Sequence, residues 1–346
     1  MTRKQQFAVA IGLGISAVFL YIAFRGLDPA LALEHIADAN IGWIIAGAVT
    51  YAAAVTIISL RWQFLLRSIQ PIPLKDLIPL VCIGYMGNNV YPFRSGEALR
   101  VFLLRRNHGV PVVKGATTVL IERVFDGLVM LTFIVVPLLF IETTSEDVRR
   151  VAMFAAPVFL IALSVFLVLA ARPDLFRQLV VLVVGILPER IGGVLAGISE
   201  DIIAGLEGLR TVGNLAGTVV SSYSTWAVEA LVYWMVAFAF DLGMDYATML
   251  LVVGTVNLAG LIPASPGQIG VFEFFVRSVL VGAGVGAEIA FAYAIVVHLV
   301  IWLPVTLAGF FFLVRQGLGW NAITQAHTLE DEAAQSSEAV ESAPAS

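Results

Sequence analysis

Uninterrupted apolar stretches near 7–24, 41–60, 115–141, 151–171, 214–240 and 288–314 fix what this chain can fold into. As a helix, each is long enough to cross about 30 Å of hydrocarbon, which takes roughly 20 residues. In that medium the backbone hydrogen-bonds within its own helix or within a closed barrel. A barrel needs short strands of alternating polarity, and the sequence has none. The chain therefore reads as an all-α polytopic membrane protein, a helical bundle. Its 346 residues are 59% hydrophobic and 13% charged, with a mean hydropathy of +0.93, more apolar surface than one soluble core needs. The net charge of −5 gives no reason to expect a nucleic-acid partner. Cys82 is the single cysteine, and His35, His108, His298 and His327 are scattered without ligand spacing. No metal or other cofactor is expected.

Two further regions, 77–110 and 247–284, are apolar but interrupted, and their interruptions match. Pro92-Phe93-Arg94-Ser95-Gly96-Glu97 is answered 171 positions later by Pro263-Ala264-Ser265-Pro266-Gly267-Gln268, with Asn88-Asn89 upstream of the first and Asn257 upstream of the second. Proline and glycine at matched places break a helix twice in the same way. Both regions read as hairpins of shortened or re-entrant helices, and recurring broken segments point to a transporter's binding site. The bland alternative is that Pro and Gly are simply frequent in membrane helices. The run Leu179 to Leu187 is too short to span and reads as part of an interfacial amphipathic helix continuing through Arg190 to Arg210.

Basic residues orient the bundle. Arg3 and Lys4, then Arg61, Arg67 and Lys75, then Arg100, Arg105, Arg106 and Lys114, and finally Arg172 and Arg177 flank spans on what should be the cytoplasmic side. The first broken region then enters from the cytoplasm and the second from outside. That is an inverted-topology repeat with halves at about 41–141 and 214–314 and a site near the midplane. Arg3 and Lys4 before an apolar run imitate a secretory signal, but the run is long and reads as an uncleaved span. Residues 1–315 form one transmembrane domain. Residues 316–346 turn polar and acidic and should be a disordered tail. Both termini are expected in the cytoplasm and the protein in the cell membrane.

Charges inside apolar spans are costly unless paired or hydrated. Glu122 and Asp126 share a helix face, and Arg123 beside them has Glu97 and Arg94 as candidate neighbours on the first broken segment. A structural ion pair and substrate contact are both open for this group. Glu273 and Arg277, at i and i+4, are expected to pair. Glu229, between Trp226 and Trp234, has no basic residue near it in sequence, which makes it a candidate proton carrier. Arg94 and Arg100 suit phosphate contacts or plain cytoplasmic anchoring, while Arg105 and Arg106 suit anchoring. Asn88, Asn89 and Tyr91 suit headgroup contacts or satisfaction of carbonyls freed by Pro92. Tyr85, Trp43 and Trp320 read as belt or packing aromatics, and Gly282 to Gly286 as a small-residue helix contact.

Three motifs in order carry a family resemblance. They are Gly87-Asn88-Asn89-Val90-Tyr91-Pro92-Phe93-Arg94-Ser95-Gly96-Glu97 with Arg100, then Ile121-Glu122-Arg123-Val124-Phe125-Asp126, then Pro263-Ala264-Ser265-Pro266-Gly267-Gln268-Ile269-Gly270 with Glu273. Over roughly 10 to 315 the chain resembles the lysylphosphatidylglycerol synthase transmembrane region family, the flippase-like domain proteins. The resemblance implies a membrane domain that moves a polar or charged phospholipid or polyprenyl-linked lipid between leaflets. In bifunctional members a cytosolic synthase domain follows; here a short acidic tail follows, so transport without synthase activity is expected. The substrate-binding candidates are Asn88, Asn89, Pro92, Arg94, Gly96, Glu97, Arg100, Glu122, Arg123, Asp126, Pro263, Gly267, Gln268 and Glu273, with Glu229 for proton coupling. The expected partner is a membrane lipid, and a separately encoded lipid-synthesising or glycosyltransferase protein is a candidate second one. A secondary transporter of a small polar solute or ion is the alternative, and a non-transporting membrane subunit the third reading. Oligomeric state stays open.

Overall fold

Apolar runs of this length become helices because no other arrangement satisfies their backbone locally, and the computed structural model is helical throughout, with no strand among the described residues. Those residues are 3–91, 95–140, 172–185 and 211–318, with single positions at 161, 164, 165, 168 and 209. Pro92, Phe93, Arg94, most of the expected 151–171 span, the amphipathic segment beyond 185 and the acidic tail, with Trp320, lie outside them. The helices are α1 (Arg3–Phe24), α2 (Pro29–Asp38), α3 (Ile41–Leu66), α4 (Leu74–Val90), α5 (Gly96–His108), α6 (Val112–Phe140), α7 (Pro173–Val184), α8 (Val212–Ala239), α9 (Tyr246–Ala259), α10 (Val271–Gly282) and α11 (Ala287–Arg315).

The ends follow local chemistry. Asp28, Asn40 and Asp245 accept from the backbone N–H of Ala30, Gly42 and Thr248 and so cap α2, α3 and α9. Gly109 takes a left-handed φ of 71° and closes α5. α1 and α2 bend by 83° at their junction, and α3 and α11 are long and apolar enough to cross a membrane. α6 and α8, of 29 and 28 residues, are long enough too. Their polar residues, among them Glu122, Asp126, Ser222, Thr225 and Glu229, are buried inside the bundle. The apolar side chains left outward, such as Val49 on α3 and Phe311 on α11, suit lipid.

At the centre α3 lies along α8, with Tyr51, Ile58 and Trp62 meeting the core around Val232, Tyr233 and Val236. Around this pair the neighbours correspond. α4 packs on α11 as α9 packs on α6; α4 and α5 form one hairpin, α9 and α10 another. Each hairpin abuts the next long helix, α6 or α11. Helix α1 lies outside this scheme, against α10, where Phe19 meets the ring of Phe274 edge-on. Gly282 and Gly284 have open space where a Cβ would stand, and Gly284 has a φ of 94°. They form the α10–α11 turn, which corrects the expected helix contact.

Candidate functional site

The first break opens after Tyr91, whose N–H still bonds to the Gly87 carbonyl. Pro92 follows and cannot continue the ladder. The chain restarts at Gly96, whose N–H donates to Asn88 Oδ1 at 3.0 Å, so the asparagine spans the break. The hairpin closes tightly because Gly84, Gly87 and Gly96 meet. A Cβ at Gly96 would collide with the Gly84 carbonyl, and one at Gly87 would come within 2.6 Å of the Gly96 Cα. Asn89 donates to Thr306 Oγ1 of α11 at 2.8 Å.

The second break runs from Gly260 to Gly270. It contains a 3₁₀ turn, Pro266–Gln268, in which Gly267 and Gln268 both have positive φ, 69° and 58°. Glu273 Oε2 accepts the Gly270 N–H at 2.6 Å and restarts the helix as α10. Its other oxygen, Oε1, lies 2.6 Å from Nδ1 of His298, and the His298 ring stacks on Phe272. The expected Glu273–Arg277 pair therefore does not form. Arg277 points across to α1 and donates to the carbonyls of Ala23 and Ile22, leaving Glu273 to cap its own helix.

Both breaks face one cavity of about 700 Å³. Asn88, Asn89 and Tyr91 line it from the first break, and Asn257 and the 260–268 segment, including Pro263, Gly267 and Gln268, from the second. Arg123, Glu229, Trp226, Trp302 and His298 complete its polar wall, and Tyr85, expected only to pack, also lines it. Asn257 shares this wall with Glu229, and its side-chain N–H donates to the Val253 carbonyl at 2.9 Å. Ile11 and Gly12 of α1 close one edge, where the Ser265 N–H donates to Ser16 Oγ at 2.9 Å.

Behind the Arg123 side lies a cluster of three arginines and three carboxylates. Arg61 reaches Glu122 at 2.6 Å with one terminal nitrogen and Asp126 with the other, and Arg100 reaches Glu122 at 2.8 Å. Arg123 pairs with Glu97 at 3.1 Å and with Asp126 at 3.2 Å. The Trp226 indole N–H donates to Asp126 at 2.7 Å, tying a cavity-lining ring to the cluster. Arg100 also stacks 4.3 Å from the Trp62 ring, whose N–H donates to Thr118. The cluster fastens α3, α5, α6 and α8 together.

This placement changes the reading of two basic residues. The loop-charge pattern puts Arg61 and Arg100 among cytoplasmic anchors, whereas both are buried in the cluster, Arg61 completely. Carboxylates at Glu122 and Asp126 need compensating cations, and these come from elements 61 and 22 positions away in sequence. Of the candidate residues, Asn88, Asn89, Arg123, Pro263, Gly267, Gln268 and Glu229 line the cavity; Gly96, Glu97, Arg100, Glu122, Asp126 and Glu273 support its wall from behind. Pro92 and Arg94 lie outside the described residues. Arg61 and His298 are the additions. An ionisable side chain in an apolar span is the signal that points to either one. Among the described residues no group of three His, Cys, Asp or Glu side chains is placed to hold a metal.

The chain is similar to several archaeal proteins. It is 26% identical over 300 residues to glycosyltransferase AglD of Haloferax volcanii, covering 77% of this chain and 47% of that one. The chain thus spans about half the length of that relative. It is 23% identical to a UPF0104 membrane protein of Methanothermobacter thermautotrophicus, over 87% of this chain and 90% of the relative, and 23% identical to one of Pyrococcus horikoshii, over 88% and 96%. With residues 9–309 matching its family model, this multi-pass integral membrane protein belongs to the lysylphosphatidylglycerol synthase TM region family.

Proposed function

We propose that the protein is a lipid transporter, not an enzyme, and moves a polar or charged phospholipid or polyprenyl-linked lipid between leaflets. One observation carries this reading: two broken segments far apart in sequence converge on a single polar cavity within an apolar bundle. A headgroup crossing roughly 30 Å of hydrocarbon needs such a polar station while its tails remain in lipid. In this reading Arg123 meets the headgroup phosphate, supported by its position in the cavity lining and a side chain that is 33% exposed. On this reading the halves are inserted in opposite senses, both termini are cytoplasmic and the protein sits in the cell membrane. A separately encoded lipid-synthesising or glycosyltransferase protein supplies the cargo. Glu229, buried in the same wall, favours a second reading in which a small solute moves with a proton.

Purified protein in liposomes with headgroup-labelled lipid in one leaflet tests the proposal. The wild type is expected to abolish leaflet asymmetry, and Arg123→Ala or Glu97→Ala to stop it while the protein remains inserted. Full activity in both variants would remove the Arg123 side of the cavity from the mechanism. Absence of movement for every lipid class, with uptake of a solute instead, would replace the lipid reading.

A further inference from the structure

The charges around the cavity limit what headgroup it suits. Arg61, Arg100 and Arg123 are each matched by Glu97, Glu122 or Asp126, so the cluster offers no net positive charge. Arg123 meets Glu97 through Nε and Asp126 through Nη1, and neither ion pair engages Nη2, whose two N–H groups suit phosphate oxygens. On the carboxylate side, Glu229 lines the cavity together with Asn257. A headgroup with several charges of one sign would face little countercharge among the described residues.

Apart from His298, which is engaged by Glu273, the rest of the polar wall is made of amides, hydroxyls and indoles that donate as well as accept. Gln268 and Asn88 present side-chain amides, and Asn88 uses only its oxygen to hold the break. The indole N–H of Trp302 has no hydrogen-bond partner within the protein, although its nitrogen is buried beside Gly267. Such a donor is costly to leave unmet. Aromatic rings, Tyr85, Trp226 and Trp302, share the wall with these amides. Hydroxyl groups match paired donors and acceptors, and the C–H face of a polyol ring matches an aromatic face. The volume, about 700 Å³, is that of a headgroup site rather than of an ion.

From this wall we infer that the cavity selects a lipid whose phosphate carries a hydroxyl-rich group, a saccharide or cyclic polyol, over one carrying an aminoacyl cation. The inference rests on the lipid-transport reading and names the cargo of the same site. The phosphate meets Arg123, the hydroxyls meet Gln268, Asn88 and Trp302, and Glu229 accepts from a vicinal pair.

Binding and movement are measured separately. The purified full-length protein is titrated calorimetrically with short-chain mannosyl-phosphoryl-polyprenol, the same polyprenyl phosphate without sugar, short-chain phosphatidylinositol and short-chain lysylphosphatidylglycerol. The same lipids are then followed across liposome leaflets. At least one hydroxyl-rich lipid should bind about tenfold tighter than the bare phosphate and the lysyl lipid, the worth of one or two net hydrogen bonds. Which of the two binds tighter identifies its source, polyprenyl or glycerophospholipid. Trp302→Phe, which keeps the ring, should lower that preference about threefold. Equal binding of all four, tighter binding of the lysyl lipid, or no binding overturns the inference. Selective binding without leaflet movement overturns transport alone, and movement without selectivity overturns the cargo assignment alone.

Discussion

Arg61 and Arg123 both contact Asp126, and burial separates their roles. Arg61 is fully buried with two carboxylates, whereas Arg123 is one-third exposed at the cavity wall. Removing one partner from a buried pair leaves an uncompensated charge, at a cost of about 3–5 kcal/mol. Arg61→Met is therefore expected to lower the fraction of monodisperse protein and its melting temperature in detergent. Arg123→Ala should cost about 1 kcal/mol or less in the same melt while stopping lipid movement. Equal melts for the two variants would contradict this division. The Arg123–Glu97 neighbourhood was legible in sequence because an arginine inside an apolar run needs an acid and the first motif supplies one. Arg61 was not legible: it lies five residues before the end of α3, and the positive-inside rule assigns such residues to the cytoplasm. Glu273 misled for a related reason. Spacing of i and i+4 permits a pair with Arg277, but the orphan N–H of Gly270 and the His298 ring are better placed.

At the scale of elements, the sequence located both breaks and the long helices among the described residues to within a few residues, because helix length and Pro/Gly interruption are local properties; the 151–171 span lies mostly outside those residues. Which helices touch is not local. The α4–α5 hairpin depends on Gly96 lying against backbone, where no flexible side chain can move aside. Gly309 of α11 is similarly set against Met86 and Cys82 of α4. Gly96→Ala and Gly309→Ala are each expected to destabilise by about 1–3 kcal/mol through overpacking. Gly127→Ala in α6, where a Cβ meets nothing within 4 Å, should be neutral or stabilising by up to about 1 kcal/mol. Thermal melts of the three variants check the contrast, and a Gly127 variant as weak as the other two would undo it.

Across the whole molecule, the matched neighbours of the α3–α8 pair accord with two halves of opposite insertion. With Cys82, the sole cysteine, replaced by alanine, the account predicts that Ser68→Cys and Met244→Cys react with impermeant thiol reagent from opposite faces of sealed vesicles. Reaction from the same face would leave the paired packing without inverted insertion. The same background gives the most direct test of the central claim, that lipid passes through the cavity between the two breaks. Ser265 lines that cavity and is partly exposed, and Ser265→Cys changes one atom there. Leaflet asymmetry of labelled lipid should collapse with this variant, persist once a bulky methanethiosulfonate modifies the cysteine, and collapse again on reduction. Undiminished lipid movement with the cysteine fully modified would place the route elsewhere in the molecule.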